Sequence, residues 1–204
     1  MRKKNYVMRT KRANALRQKL LDTATELVMK EGYDNVSVGD ICKKVGVTRG
    51  AFYGHFKSKD QIVLERIAVY DAEYRATILP QLADMKPGPD KILAYLQLVI
   101  KYNEEITRKL VRMSYIIRIS RNGPPYIPNK REVYNVLEEL VSEGQKAGEI
   151  RDDLSSAQLA TVLFYSLVGL VFSWCVPGNQ VDIAKTGKHM VEVLRPGLQK
   201  AEAK

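Results

Sequence analysis

Residues 37–60 read SVGDICKKVGVTRGAFYGHFKSKD. Ser37 can cap a helix and Asp40, three positions on, completes a capping-box pattern, after which Val38, Ile41, Cys42 and Val45 fall on one helical face. Gly46 is placed to close that helix. Thr48 can cap a second, very short one, in which Phe52 and Phe56 stand four apart and point into one small core. Two short helices joined by Gly46, Val47 and Thr48 form the helix-turn-helix pattern, whose second helix enters the DNA major groove with its first residues against base edges. The composition suits groove reading. Gly50 lets backbone come close to a phosphate or base edge, Arg49 can offer two parallel donors to a guanine, and Tyr53 or His55 can reach flanking phosphates. Singly, Tyr53 and His55 also read as ordinary edge residues; the combination favours the groove.

Charge points the same way. Residues 1–60 hold 14 Lys or Arg against 6 Asp or Glu, whereas residues 61–204 hold 19 against 17. The excess of the whole chain, +10, is therefore concentrated in its first third, the electrostatic footprint of a polyanion-binding end. Upstream of the quoted stretch, Leu16, Leu20, Ala24, Leu27 and Val28 predict a helix over 13–31, with Gly32 as its stop.

The run GYDNVSVGDICKKVGVTRGAFYGHFKSKDQIV, and above all its T-R-G-A-F-Y-x-H-F-x-S-K phrase, resembles the N-terminal domain of the TetR family of bacterial transcriptional regulators over about residues 11–66. The resemblance implies that Ser37, Tyr53, His55 and Lys59 hold phosphates while Thr48, Arg49, Gly50 and Ala51 face the bases. Gly54 departs from it, standing where many relatives have a larger polar or aromatic side chain. Farther on, only the helical organisation and the stretch GEIRDDLSSAQLATVLFYSLVGLVFSW are similar.

From Lys59 an amphipathic helix is expected through Ile62, Val63, Arg66, Ile67, Tyr70 and Tyr74 towards Pro80, and KPGPD at 86–90 breaks the chain. Further helices are expected at about 90–103, 104–120, 131–146, 156–175 and 182–194, with NGPPYIPN, 122–129, as the clearest loop. The fold class is all-α: a three-helix head, residues 1–60, on a larger helical body for ligand binding and dimerisation, residues 61–204. Residues 157–176 contain no charge and by length could span a bilayer. They also carry Gln158, Thr161, Ser166 and Ser173, and Ser166, Gly169 and Ser173 share a face on which another helix can approach closely. A helix apolar all round is buried all round, on its own body and on a second copy; the resemblance implies a four-helix dimer interface from this helix and the one before it.

Tyr95, Leu98 and Tyr102 form one helical row, Leu110, Met113 and Ile117 another, and Phe164 could close the space between them. Such rows read first as core. The resemblance makes them candidate inducer-binding residues, because this part of TetR-like proteins encloses a ligand, and tyrosines with a methionine suit an adaptable, mostly apolar cavity. Residues 106–131 hold seven Lys or Arg and no acid, with Arg112 and Arg118 the candidates for a pocket mouth.

No catalytic constellation, metal-ligand spacing or phosphate loop is apparent: His55 and His189 are the only histidines, and Cys42 and Cys175 read as reduced structural thiols. No cofactor, metal or membrane partner is expected, and the basic N-terminus leads into an amphipathic pattern rather than a secretory signal. The expected protein is a non-enzymatic, cytoplasmic, homodimeric regulator, a repressor released from an inverted-repeat operator in double-stranded DNA by a small, mostly apolar molecule. The alternatives are a helical enzyme with a basic head and a membrane-associated protein.

Overall fold

The computed structural model describes residues 2–106, 108–120 and 131–200, all of the regular structure among them helical. The expected 122–129 loop lies outside the described residues. Contacts divide the chain into two compact units, Met1–Ala68 and Val69–Lys204. The division falls later than the expected boundary at residue 60, because the first half of a helix belongs to the head's own core.

In the first unit, α1 (Arg2–Glu31), α2 (Val38–Val45) and α3 (Arg49–Tyr53) are followed by α4 (Lys59–Ile78), which continues into the second unit. Helix α1 begins well before residue 13, since RKKNYVMRTKR contains neither Gly nor Pro to stop it. It ends before Gly32, whose φ of 90° is the left-handed conformation that a glycine adopts without strain. Leu20, Ala24, Leu27 and Val28 of α1 meet Ile41, Cys42 and Val45 of α2, Phe52 and Phe56, and Ile62 and Val63 of α4 in one buried core. The Phe52 and Phe56 rings lie 6.0 Å apart. Truncating either to alanine costs about 3–5 kcal/mol, a large share of what a core this small supplies.

Polar ties fix how α1 and α4 meet. The Arg17 guanidinium is bidentate on Glu65, one of its bonds 2.5 Å, while its face rests 4.7 Å from the Phe56 ring centre. Lys19 donates to the Val45 carbonyl at the end of α2, at 3.2 Å.

The second unit contains α5 (Pro89–Glu105), α6 (Arg108–Ser120), α7 (Glu132–Lys146), α8 (Ser156–Cys175) and α9 (Ile183–Leu194), with short 3-10 turns at Leu79–Leu82 and Pro196–Leu198. Pro89 starts α5 at the position where a missing N–H costs nothing. Helix α5 is central: Ile92, Leu93, Tyr95, Leu96, Val99 and Ile100 are buried against its neighbours. Gly187 of α9 allows close approach to α5, since a β-carbon there would come within 2.7 Å of the Ile100 Cδ1. Helix α8 starts with a full capping box from Ser155 and Gln158 and packs along α7, with α6 and α9 beside it. Its apolar length passes for a membrane span. Leu159, Ala160, Leu163, Phe164, Leu167, Leu170, Val171 and Cys175 are nevertheless buried inside the unit, which is how a core helix of a helical body is placed.

Candidate functional site

Helix α3 is short because both of its ends are fixed. The Thr48 hydroxyl accepts the Ala51 N–H at 3.2 Å, and Gly46, at φ 83°, turns the chain between α2 and α3 in a conformation that favours glycine. The Cys42 thiol donates weakly to the Thr48 carbonyl at 3.7 Å, holding the turn against α2. Phe52 faces inward and is fully buried, so the other side of this single turn faces out. Thr48, Arg49 and Gly50 are exposed and Ala51 is half-buried, so the four positions expected to meet bases share the start of one helix. A β-carbon on Gly50 would touch only the Thr48 hydroxyl, at 3.8 Å, which leaves that stretch of backbone open to approach.

Arg49 makes no ion pair among the described residues. Its guanidinium lies across Gly39 of α2, where a β-carbon would meet Nη2 at 3.0 Å. Gly39 is thus part of how Arg49 is presented, a role that a glycine inside an amphipathic helix does not signal in sequence. Tyr53 is 56% exposed, its ring edge-on to Phe52 at 5.4 Å, so the phenol is held outward by a buried neighbour. His55 is half-buried, and exposed Lys43 and Lys57 add positive charge to the same unit. Gly54 ends α3 in a right-handed helical conformation, with only the Ala51 and Gly50 carbonyls near a built β-carbon.

Two of the expected phosphate ligands are committed elsewhere. The Ser37 hydroxyl accepts the Asp40 N–H at 3.1 Å and donates to the Asp40 carboxylate at 2.6 Å, while the Ser37 N–H donates to the same carboxylate at 2.8 Å. These bonds hold the Asp40 carboxyl below the usual carboxylate range. Ser37 is therefore first a cap. Lys59 is engaged as well: its ammonium donates to the Tyr33 and Val36 carbonyls, the latter at 2.5 Å, and sits 3.8 Å from the Tyr33 ring centre. The cation closes the loop between α1 and α2.

The expected ligand rows resolve mainly into core. Tyr95 is fully buried and donates to the Val133 carbonyl at 3.0 Å; Ile117 is buried; Phe164 is buried with its ring edge-on to Tyr134 at 5.6 Å. Leu98 and Met113 are half-buried. Tyr102 donates to Glu73 at 3.0 Å, and burial followed by that carboxylate pushes its phenol well above the ordinary range. None of the six lines the described apolar cavity, about 210 Å³, which opens on the other side of α6 between Arg112, Tyr115, Ile116 and Ile119 and the end of α8 at Phe172 and Cys175. Of the two arginines singled out by charge, Arg112 is at this cavity.

On α8 the expected small-residue face is present. Gly169 is exposed, with nothing within 4 Å of a built β-carbon, and Ser166 and Ser173 are half-buried. The face is larger than the small residues alone: Val162, Tyr165 and Phe172 are 57%, 51% and 41% exposed at the same helical spacing.

Comparison with known proteins agrees with this architecture. The sequence profile described as "Bacterial regulatory proteins, tetR family" matches residues 20–65, and that described as "YsiA-like protein, C-terminal region" matches residues 130–197. The HTH-type transcriptional regulator AcrR of Shigella flexneri is 25% identical over 190 residues, covering 89% of this chain and 88% of that protein. The fatty acid metabolism regulator protein of Bacillus subtilis is 22% identical over 199 residues, covering 88% and 93%. Among solved structures, a TetR-family transcriptional regulator from Pectobacterium atrosepticum superposes with a TM-score of 0.74 at 20% identity, covering 92% of this chain and 96% of that one. The transcriptional regulator FadR from Bacillus subtilis, in complex with stearoyl-CoA, does so with a TM-score of 0.60 at 20% identity, covering 89% and 99%. With a helix-turn-helix head at one end, a matching body at the other and regulators aligned along nearly the whole length between, the chain belongs to the TetR family of bacterial regulatory proteins and is a DNA-binding transcriptional regulator.

Proposed function

We propose that the protein is a cytoplasmic homodimeric repressor that leaves an inverted-repeat operator when a small, mostly apolar molecule binds its body. The observation that carries the DNA half is the outward edge of α3, where Thr48, Arg49 and Gly50 are exposed together on the second helix of the motif and Arg49 has no ion-pair partner among the described residues. Tyr53 and His55 flank that edge as phosphate-holding side chains, and the concentration of positive charge in residues 1–60 supplies the sequence-independent part of affinity.

The exposed face of α8, Val162, Tyr165, Ser166, Gly169 and Phe172, supports dimerisation through α7 and α8. It is an apolar stripe along a helix whose other face is already buried, with a glycine at its centre where a second backbone can come close. A two-fold dimer of such heads reads the same bases on opposite strands, hence the inverted repeat. Ligand response is supported by a cavity in the body and by a family neighbour whose structure holds stearoyl-CoA. Binding and DNA release are then linked reciprocally: whatever factor the ligand takes from DNA affinity, DNA takes from ligand affinity.

Selection of bound duplexes from a random pool tests this reading. Recovered duplexes should share two half-sites in inverted orientation, and the complex should contain two protomers. Gly169→Leu should convert the protein to a monomer in sedimentation at micromolar concentration. A selected site without two-fold symmetry, or a Gly169→Leu protein that remains fully dimeric, would contradict it.

A further inference from the structure

The cavity between α6 and the end of α8 has a chemistry of its own. Tyr115 and Phe172 meet edge-on across it at 5.5 Å, Ile116 and Cys175 form apolar wall, and Ile119, 70% exposed, stands at its lip beside partly exposed Phe172. Among the described residues, Arg112 is the one charged residue in the lining. It makes no hydrogen bond or ion pair among the described residues, and α6 contains no acidic residue that would neutralise it. The neighbouring cation is already engaged: Arg108 donates to the Val176 and Asn179 carbonyls, each at 3.3 Å, and its guanidinium lies 5.7 Å from the Trp174 ring centre. That contact covers carbonyls just past the end of α8, where partial negative charge would otherwise repel an anion.

Resting on the reading of the body as ligand-responsive, we propose that this cavity is a binding site for a small amphipathic carboxylate, its chain against Ile116, Tyr115 and Phe172 and its anionic end on Arg112. Size limits the chain. A volume of about 210 Å³ holds roughly seven groups at about 30 Å³ each, a medium-length chain or one end of a longer ligand. Charge selects the head group: a cation would be repelled by Arg112, and a neutral chain would cover the guanidinium without compensating it, whereas a carboxylate accepts two parallel N–H bonds. Covering Ile119 removes apolar surface from water and adds affinity that does not depend on charge.

Calorimetric titration of the full chain with octanoate, octan-1-ol and octylamine tests the site. Octanoate should bind about tenfold more tightly than the alcohol, and the amine should bind least. Arg112→Gln should bring octanoate and the alcohol to within about twofold of each other. Ile116→Trp, which takes up part of the cavity beside Tyr115 and Phe172, should weaken both at least about tenfold. Ile119→Glu changes a side chain that is mostly in solvent, so folding survives; its carboxylate on Arg112 should weaken octanoate more than the alcohol. Equal affinity of the wild-type chain for octanoate and the alcohol, or wild-type octanoate affinity in a folded Ile116→Trp protein, would overturn the site. A dimer that binds none of the three probes would overturn it too, and would assign the cavity's cover to the second copy. Because the readout is binding, the result stands apart from DNA release. Release by a ligand indifferent to Ile116→Trp would leave the regulatory reading and remove this site, and octanoate binding without release would do the reverse.

Discussion

Lys59→Met separates two roles for one cation, because methionine keeps most of the apolar stem while removing the ammonium. In the structure that ammonium donates to the Tyr33 and Val36 carbonyls and rests over the Tyr33 ring. Hydrogen bonds from a charged donor contribute about 1.5–3 kcal/mol each and the ring contact about 0.5–1. Lys59 is half-buried, so water can return to the carbonyls and the cation's own desolvation offsets part of the sum. The expected net loss is about 2 kcal/mol, local to the α1–α2 loop. Amide hydrogen exchange in the full chain reads that loss directly: opening of the segment around residues 33–45 should become about thirtyfold more frequent. DNA affinity should retain its salt dependence, since no phosphate contact has been removed. Unchanged exchange in α2, together with a salt slope lowered by about one, would refute the structural role and restore the phosphate contact read from the sequence.

Gly39→Ala should leave the stability of the head within about 0.5 kcal/mol, because the neighbour at 3.0 Å is the end of a flexible arginine, yet move Arg49 and shift base preference at one operator position; thermal unfolding and duplex selection check the two halves. Tyr95→Phe should destabilise the body by about 0.5–1.5 kcal/mol in urea unfolding, since the fully buried hydroxyl's bond to the Val133 carbonyl is lost. The Asp40 carboxyl lies below its ordinary value, so the stability it contributes is present above the unfolded pKa of about 3.9 and lost as pH falls through the lower folded value. The stability gap between wild type and Asp40→Asn, measured by exchange in α2, should therefore be wide at neutral pH and close in acid.

The parts of the head that can be read from sequence are those set by neighbours along the chain. Ser37 with Asp40, Gly46 and Thr48 act within four residues of themselves, and all take the capping or turning roles that their spacing implies. Phe52 and Phe56 share a core for the same reason. Lys59 is not legible in this way. Its two acceptors lie 26 and 23 residues earlier, and only the fold brings them under the ammonium. Arg49 over Gly39 is a similar case, a contact between two helices that leaves no periodic trace. In the body, α6 is apolar on more than one row: Leu110 and Ile117 go to the core, while Tyr115, Ile116 and Ile119 line a cavity. Periodicity gives the rows but not which of them turns inward. On α8, small residues mark the exposed face, and the aromatic side chains beside them become assignable only once Leu163, Phe164 and Leu167 are seen to occupy the interior. The division between head and body is not marked in the sequence, because α4 has no break at which to place it; by contacts it falls within a continuous helix.

The outward edge of α3 is expected to read base pairs through Arg49. Equilibrium affinities of wild type and Arg49→Ala for a selected duplex and its scrambled counterpart, at several salt concentrations, test it most directly. The substitution should cost about 1–3 kcal/mol on the selected duplex, much less on the scrambled one, and relax the choice of base at one position per half-site. Equal losses on both duplexes, or a wild-type protein that holds the two alike, would contradict it.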